Sequence, residues 1–239
     1  MPSTPGRSEA LRDVTHVFLD VGGTLLAAVP GAADIFHGAL SRRGHAVDRD
    51  RVMEIWRRGG IVNLIAPVSR DRSREYFRAF NARMVEHLGG TPDEGLLDEI
   101  GGTFEAVAWR AYPEVPEILE ALQAAGFHLG VISNASHALP AMLAGSGLAD
   151  FFETVTYSFD AGAEKPDPRI FHRAIAAAGA VPERAVHVGD SFEQDYLGAR
   201  AVGLHAVLLV REGDPPAPCP TLRGLEGLLE LLGAGRSPP

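Results

Sequence analysis

A chain of 239 residues with 46% hydrophobic content is long enough to bury a sizeable core. Its formal net charge of -9 has the wrong sign for displacing phosphate counterions, which argues against nucleic acid or an anionic membrane as a partner. The single cysteine, Cys219, excludes an intramolecular disulfide and a cysteine zinc site, and no apolar run reaches the roughly 20 residues that span a bilayer. Met1–Asp13 lacks a signal-peptide core, so a cytoplasmic protein acting on a small soluble ligand is expected.

In chain order, His16–Asp20 reads as a short buried strand that ends on a carboxylate. The following Val21-Gly22-Gly23-Thr24-Leu25 has the composition of a phosphate-handling loop. From about Ala27 to Ala108 only helical patterns occur. Within Ser69–Leu88, Tyr76, Phe77, Phe80, Met84, Val85 and Leu88 fall on one stripe, and Gly89-Gly90 ends it. Thr91-Pro92-Asp93-Glu94 reads as a capping box that opens a helix through Leu97, Ile100, Phe104 and Val107. Met53 and Trp56 fit another apolar helical stripe.

From residue 112 onward helix and strand alternate. Helices are expected over Glu114–Ala125 and Pro168–Ala178, each stopped by a glycine. Strands are expected at His128–Ser133, Thr154–Ser158, Ala185–Gly189 and His205–Val210. Several are continuous apolar runs, which suits a parallel sheet covered on both faces. The pattern predicts an α/β fold, a Rossmann-like doubly wound parallel sheet with an inserted all-helical cap. The expected core comprises residues 1–26 and 109–239, and the expected cap residues 27–108.

In such a sheet ligands bind beyond the carboxyl ends of the strands. The residues there are Asp20, Ser133-Asn134 and Gly189-Asp190-Ser191, with Asp195 five residues past Asp190, and Lys165 precedes a helix. Taken singly, each also suits a turn or a helix cap.

Their order and context resemble the haloacid dehalogenase superfamily, in the subfamily whose helical cap follows the first motif. Asp20–Leu25 matches the first motif, Val131–Asn134 the second, Lys165-Pro166 the third, and Gly189-Asp190 with Asp195 the fourth. The resemblance implies that Asp20 is the nucleophile, forming an aspartyl phosphate. It implies that Ser133 and Lys165 hold the transferring phosphoryl group, with Thr24 and Asn134 beside them in substrate binding. Mg²⁺ is the implied cofactor, on Asp20, the Gly22 carbonyl, Asp190 and Asp195. Asp195 has three readings: a metal ligand through water, a residue that fixes Lys165, or a helix cap. The implied substrate is a small phosphorylated metabolite.

One position departs from the pattern. Most phosphatases of the family carry a second aspartate two residues after the nucleophile, as acid for the leaving oxygen, and this chain has Gly22. Three readings follow: a phosphatase that is slow, suited to activated phosphates or supplied with an acid from the cap such as His37; a 2-haloacid dehalogenase, whose halide leaves unprotonated; or a silent binding or regulatory protein. Acidic residues converging near one matched cation favour a metal and phosphoryl transfer over metal-free dehalogenation.

Arg57, Arg58, Arg70, Arg72 and Arg74 suit either a substrate anion or a solvated helix face. Gly59-Gly60 suits a hinge or a helix stop. Among nine histidines, His128, His187 and His205 in or beside strands are expected as satisfied core groups.

Overall fold

A computed structural model describes residues 11, 13–58 and 70–234, without the side chains of residues 57, 58 and 70–74. Strand β1 (His16–Leu19) leads through a tight loop into β2 (Leu26–Val29). Four helices follow: α1 (Ala32–Ser41), α2 (Arg49–Arg58), α3 (Arg70–His87) and α4 (Glu94–Glu105). The chain returns along β3 (Ala108–Ala111) to α5 (Val115–Ala124), β4 (His128–Ser133), α6 (Leu139–Gly145), β5 (Thr154–Tyr157), α7 (Ser158–Ala161) and α8 (Pro168–Ala178). It ends through β6 (Ala185–Gly189), α9 (Gly198–Ala201), β7 (His205–Leu209), β8 (Thr221–Leu222) and α10 (Leu228–Leu231).

Six strands form one parallel sheet in the order β5-β4-β1-β6-β7-β8. Side chains alternate across it as a period of two requires. Val17 and Leu19 of β1 enter one apolar cluster with Leu119 and Leu122 of α5. Phe18, between them, enters the other with Phe171 and Ala174 of α8 and Ala199 of α9. Both faces are therefore covered, and the strands read as unbroken apolar runs because neither face meets water.

Helix α8 begins where Asp167 accepts a hydrogen bond from the Arg169 amide at 2.9 Å and Pro168 takes the first position. Helix α4 departs from the expected capping box: Asp93 caps it, accepting from the Leu96 amide at 2.8 Å. Thr91 lies two residues too early, because Pro92 precedes the cap instead of opening the helix. The buried stripe of α4 accordingly starts at Leu96, with Leu97 only half-buried.

Helices α1 to α4 share a third apolar cluster containing Phe36, Leu40, Val52, Met84, Val85, Leu96 and Ile100. Trp56 and Phe77 remain substantially exposed, although Trp56 packs on Phe36, Phe80 and Phe104. Strands β2 and β3 were not expected from the sequence. They pair antiparallel from Leu26↔Ala111 to Val29↔Ala108 and straddle both expected boundaries, 26/27 and 108/109. The Ser69 helix start and the Gly59-Gly60 pair fall outside the described residues, as do the side chains of Arg57, Arg58, Arg70, Arg72 and Arg74.

Candidate active site

Register places the strand-end residues together. Leu19 lies beside Val131 of β4 and Val188 of β6, so Asp20, Ser133 and Asp190 follow at the same edge of the sheet. Asp20 emerges from β1 with its amide still bonded to the Val188 carbonyl at 2.9 Å. The chain then turns around the Val21 carbonyl, which accepts from the amides of Thr24, Leu25 and Leu26. Gly23 takes φ +81 in this turn, and a Cβ there would lie 2.4 Å from Asp190 Oδ2. Glycine is required twice over, by the left-handed backbone and by the carboxylate pressed against it.

Lys165 is buried at the centre of the site. Its ammonium donates to Asp20 Oδ1 at 2.7 Å, to Asp195 Oδ1 at 2.5 Å and to the Ile132 carbonyl at 3.0 Å. All three N–H donors are thus engaged. Asn134 holds the lysine's main chain with both ends of its amide: Oδ1 accepts from the Lys165 amide at 2.7 Å, and Nδ2 donates to the Lys165 carbonyl at 3.0 Å. Ser133 is buried at the end of β4. Thr24 is fully buried, and its hydroxyl has no hydrogen-bond partner among the described residues.

Asp195 sits on a π-helical turn, Phe192–Leu197, whose wider coil points the side chain inward. Both of its oxygens are engaged: Oδ1 with Lys165 and with His187 Nε2 at 2.8 Å, and Oδ2 with the Ser191 amide at 3.0 Å. The carboxylate lies over the end of β6, where a Cβ on Gly189 would come within 2.2 Å of Asp195 Cγ.

Carboxylate oxygens of Asp20, Asp190 and Asp195 all lie within 4.8 Å of one another. Burial pushes the Asp20 carboxyl above its ordinary range against the pull of Lys165. Burial, with the charges of Asp20 and Asp195, pushes Asp190 up to about 8. Burial acts on Asp195 too, but Lys165 and the His187 ring overcome it and hold that carboxyl below the usual range. Lys165 in turn is held above the usual lysine value by Asp195 and Asp20, despite desolvation. Three acids crowd one lysine, a crowding that a divalent cation displacing the Asp190 proton would relieve, and Asp190 keeps partial exposure through which an ion could enter. An all-oxygen donor set of this charge fits Mg²⁺.

Every residue expected at the site lies at this edge of the sheet or in the loop beside it. Among the described residues, the nearest group in the direction that a Gly22 side chain would take is the Trp109 ring, 3.9 Å from an ideal Cβ. His37 is tied through Nδ1 to the Val47 carbonyl at 2.7 Å. His187 is a buried core histidine as expected but only half satisfied: Nε2 meets Asp195, which makes it part of the site, while Nδ1 has no hydrogen-bond partner among the described residues. His128 is not one: it is exposed, stacked on His16 and paired with Glu153. Nor is His205 a core residue: it is half-buried and bonds the Glu183 carbonyl. The sequence reading also passed over Arg211, just beyond β7, which reaches back to the Gly23 and Thr24 carbonyls. Its place after a strand's carboxyl end was the available signal.

Residues 14–203 match the family model of haloacid dehalogenase-like hydrolases. Haloacid dehalogenase-like hydrolase domain-containing protein 3 of Homo sapiens is 41% identical over 129 residues, 52% of this chain and 51% of that one. The phosphoserine phosphatase of Thermus thermophilus is 37% identical over 145 residues, 58% and 57% of the two chains. The match thus spans about half the length of these curated relatives. Among solved structures, a HAD phosphatase from Thermococcus onnurineus superposes with TM-score 0.60 at 26% identity, covering 94% of this chain and 100% of that one. A 2-haloacid dehalogenase from Pseudomonas syringae does so with TM-score 0.58 at 29% identity, covering 92% and 98%.

Proposed function

The chain belongs to the haloacid dehalogenase-like hydrolases, and from that premise we propose that it is a Mg²⁺-dependent, cytoplasmic phosphatase of small phosphorylated metabolites. In this reading residues 27–108 form a cap over a core of residues 1–26 and 109–239. The observation that carries it is the meeting of Asp20, Asp190 and Asp195 around one buried lysine. Halide displacement needs no divalent cation to hold three clustered acids together, whereas phosphoryl transfer uses one. The similarity to a phosphoserine phosphatase supports a small phosphate ester as substrate.

An Asp20 oxygen attacks phosphorus, the bond to the leaving oxygen breaks, and that oxygen takes its proton from solvent because Gly22 offers none. Water then adds to the phosphorus of the aspartyl phosphate. The bond to Asp20 breaks, a proton passes to solvent, and orthophosphate leaves. Lys165 has no spare donor, so it meets a phosphoryl oxygen by passing on the hydrogen bond it now gives Asp20. Ser133 donates to a second phosphoryl oxygen, and Thr24 supports the same loop. Asn134 acts by holding the Lys165 main chain. Asp20, Asp190 and the Gly22 carbonyl would hold Mg²⁺, with Asp195 reaching it through water while fixing Lys165. When bound, the ion neutralises charge on the phosphoryl oxygens and orients them.

Phosphate release from aryl and alkyl phosphates, with and without Mg²⁺, tests this reading beside chloride release from a 2-chloro acid. Mg²⁺-dependent phosphate release is expected, and Asp20→Asn should reduce it at least about 10⁴-fold, as loss of a nucleophile does elsewhere. Gly22 favours a second reading, since a departing halide needs no proton. Metal-independent chloride release would establish that one instead, and silence on both panels would leave a binding protein.

A further inference from the structure

Arg211 lies two residues beyond β7, with its side chain one-fifth exposed. Its Nε donates to the Gly23 carbonyl at 3.2 Å and its Nη2 to the Thr24 carbonyl at 2.8 Å. The guanidinium carbon stands 3.5 Å above the centroid of the Tyr112 ring. Nη2 also approaches Glu114 Oε1 at 2.7 Å, but its N–H bonds point at the carbonyls, so this contact is charge pairing more than hydrogen bonding. Tyr112 donates its amide to the Leu25 carbonyl at 3.1 Å, closing the group onto the loop.

Three elements thus converge on one guanidinium: the loop after Asp20, the turn from β3 into α5, and the exit from β7. A planar fork with fixed donors can grip two successive carbonyls, and stacking on Tyr112 with a buried partner at Glu114 fixes the fork's plane. The two gripped peptides lie on either side of Thr24, and the first begins at Gly23, where a Cβ would meet Asp190. Within the loop, the Gly23 amide donates to the Leu26 carbonyl and the Thr24 and Leu25 amides donate to the Val21 carbonyl.

We propose that Arg211 is a positioning residue that presses the Asp20–Leu25 loop onto Asp190 and thereby sets the spacing of the two carboxylates that receive the divalent cation. The inference rests on the Mg²⁺ reading above. Arg211 touches neither ion nor substrate; it acts through the loop backbone. A merely structural arginine would change stability and leave ion affinity alone.

Calorimetric titration of Mg²⁺ into metal-free Arg211→Met and Arg211→Lys, with thermal unfolding in parallel, separates the two roles. Arg211→Met should weaken Mg²⁺ binding about 10- to 100-fold, the usual effect of losing an outer partner. Arg211→Lys should weaken it as well, because an ammonium keeps the charge without the fork. Unchanged Mg²⁺ affinity in a folded variant, whatever its Tm, overturns the proposal while leaving the phosphatase reading in place. If Arg211→Met does not fold, Glu114→Gln carries the test: weaker Mg²⁺ binding supports the proposal and wild-type affinity overturns it. A wild-type protein that takes up no Mg²⁺ overturns both.

Discussion

Gly22 leaves the loop after the nucleophile without a group to protonate a departing oxygen, and the Trp109 ring, 3.9 Å from an ideal Cβ, allows a side chain to start there. Gly22→Asp should therefore raise turnover of alkyl phosphates by up to about 10² to 10⁴, the range of general acid catalysis. Aryl phosphates, whose leaving groups depart as anions, should gain far less. Comparing kcat for the two classes checks this, and equal gains would show that the proton is not limiting. At this scale the sequence was legible where chemistry and position coincide: Asp20, Ser133 and Asp190 are polar groups at strand ends. His187 was not, because a histidine inside the fully buried β6 looks like any core residue until Asp195 is seen beneath it. The Asn134 amide turned to the Lys165 backbone was equally hidden, since the two are distant in sequence.

Among the elements, α4 depends on a single side chain for its start. Asp93→Ala removes the acceptor for the Leu96 amide and should cost about 1 kcal/mol of stability, read as a lowered urea midpoint with unchanged slope. Thr91→Ala, two residues ahead of that cap, should change little. Core strands and α8 were readable because their apolar runs and stops are local. Strands β2 and β3 were not: Leu-Ala-Ala-Val and Ala-Trp-Arg-Ala are four residues each, and they pair with each other across some eighty positions. Pairing of that kind is fixed by tertiary contact more than by propensity. The start of α4 was misread for a subtler reason, since Thr91 and Asp93 are both good caps and only geometry chooses between them.

For the molecule as a whole, the acid cluster links stability to pH and to the ion. Asp190 titrates near 8 in the fold and, like any exposed aspartate, near about 3.9 when unfolded. Between those values the native state holds a proton that the unfolded state has lost, so this group's contribution falls as pH rises through 8. Metal-free protein should thus lose Tm on this account from about pH 4 up to about pH 8 and level off above it. Mg²⁺ should raise Tm most at the alkaline end, because the ion needs the ionised carboxylate. Thermal scans across pH, with EDTA or excess Mg²⁺, measure the difference; an ion effect independent of pH would mean that Asp190 is not a ligand.

The ladder between β2 and β3 runs from Leu26↔Ala111 to Val29↔Ala108, and Trp109 faces Gly22 only in that pairing. Deleting or adding one residue in either strand would slip the ladder and turn the indole to its opposite side, uncovering the ground beside the nucleophile. Anyone transplanting the four-helix segment into a sister protein must therefore splice both strands at matched positions, or the graft will rewire the very corner it was meant to leave alone.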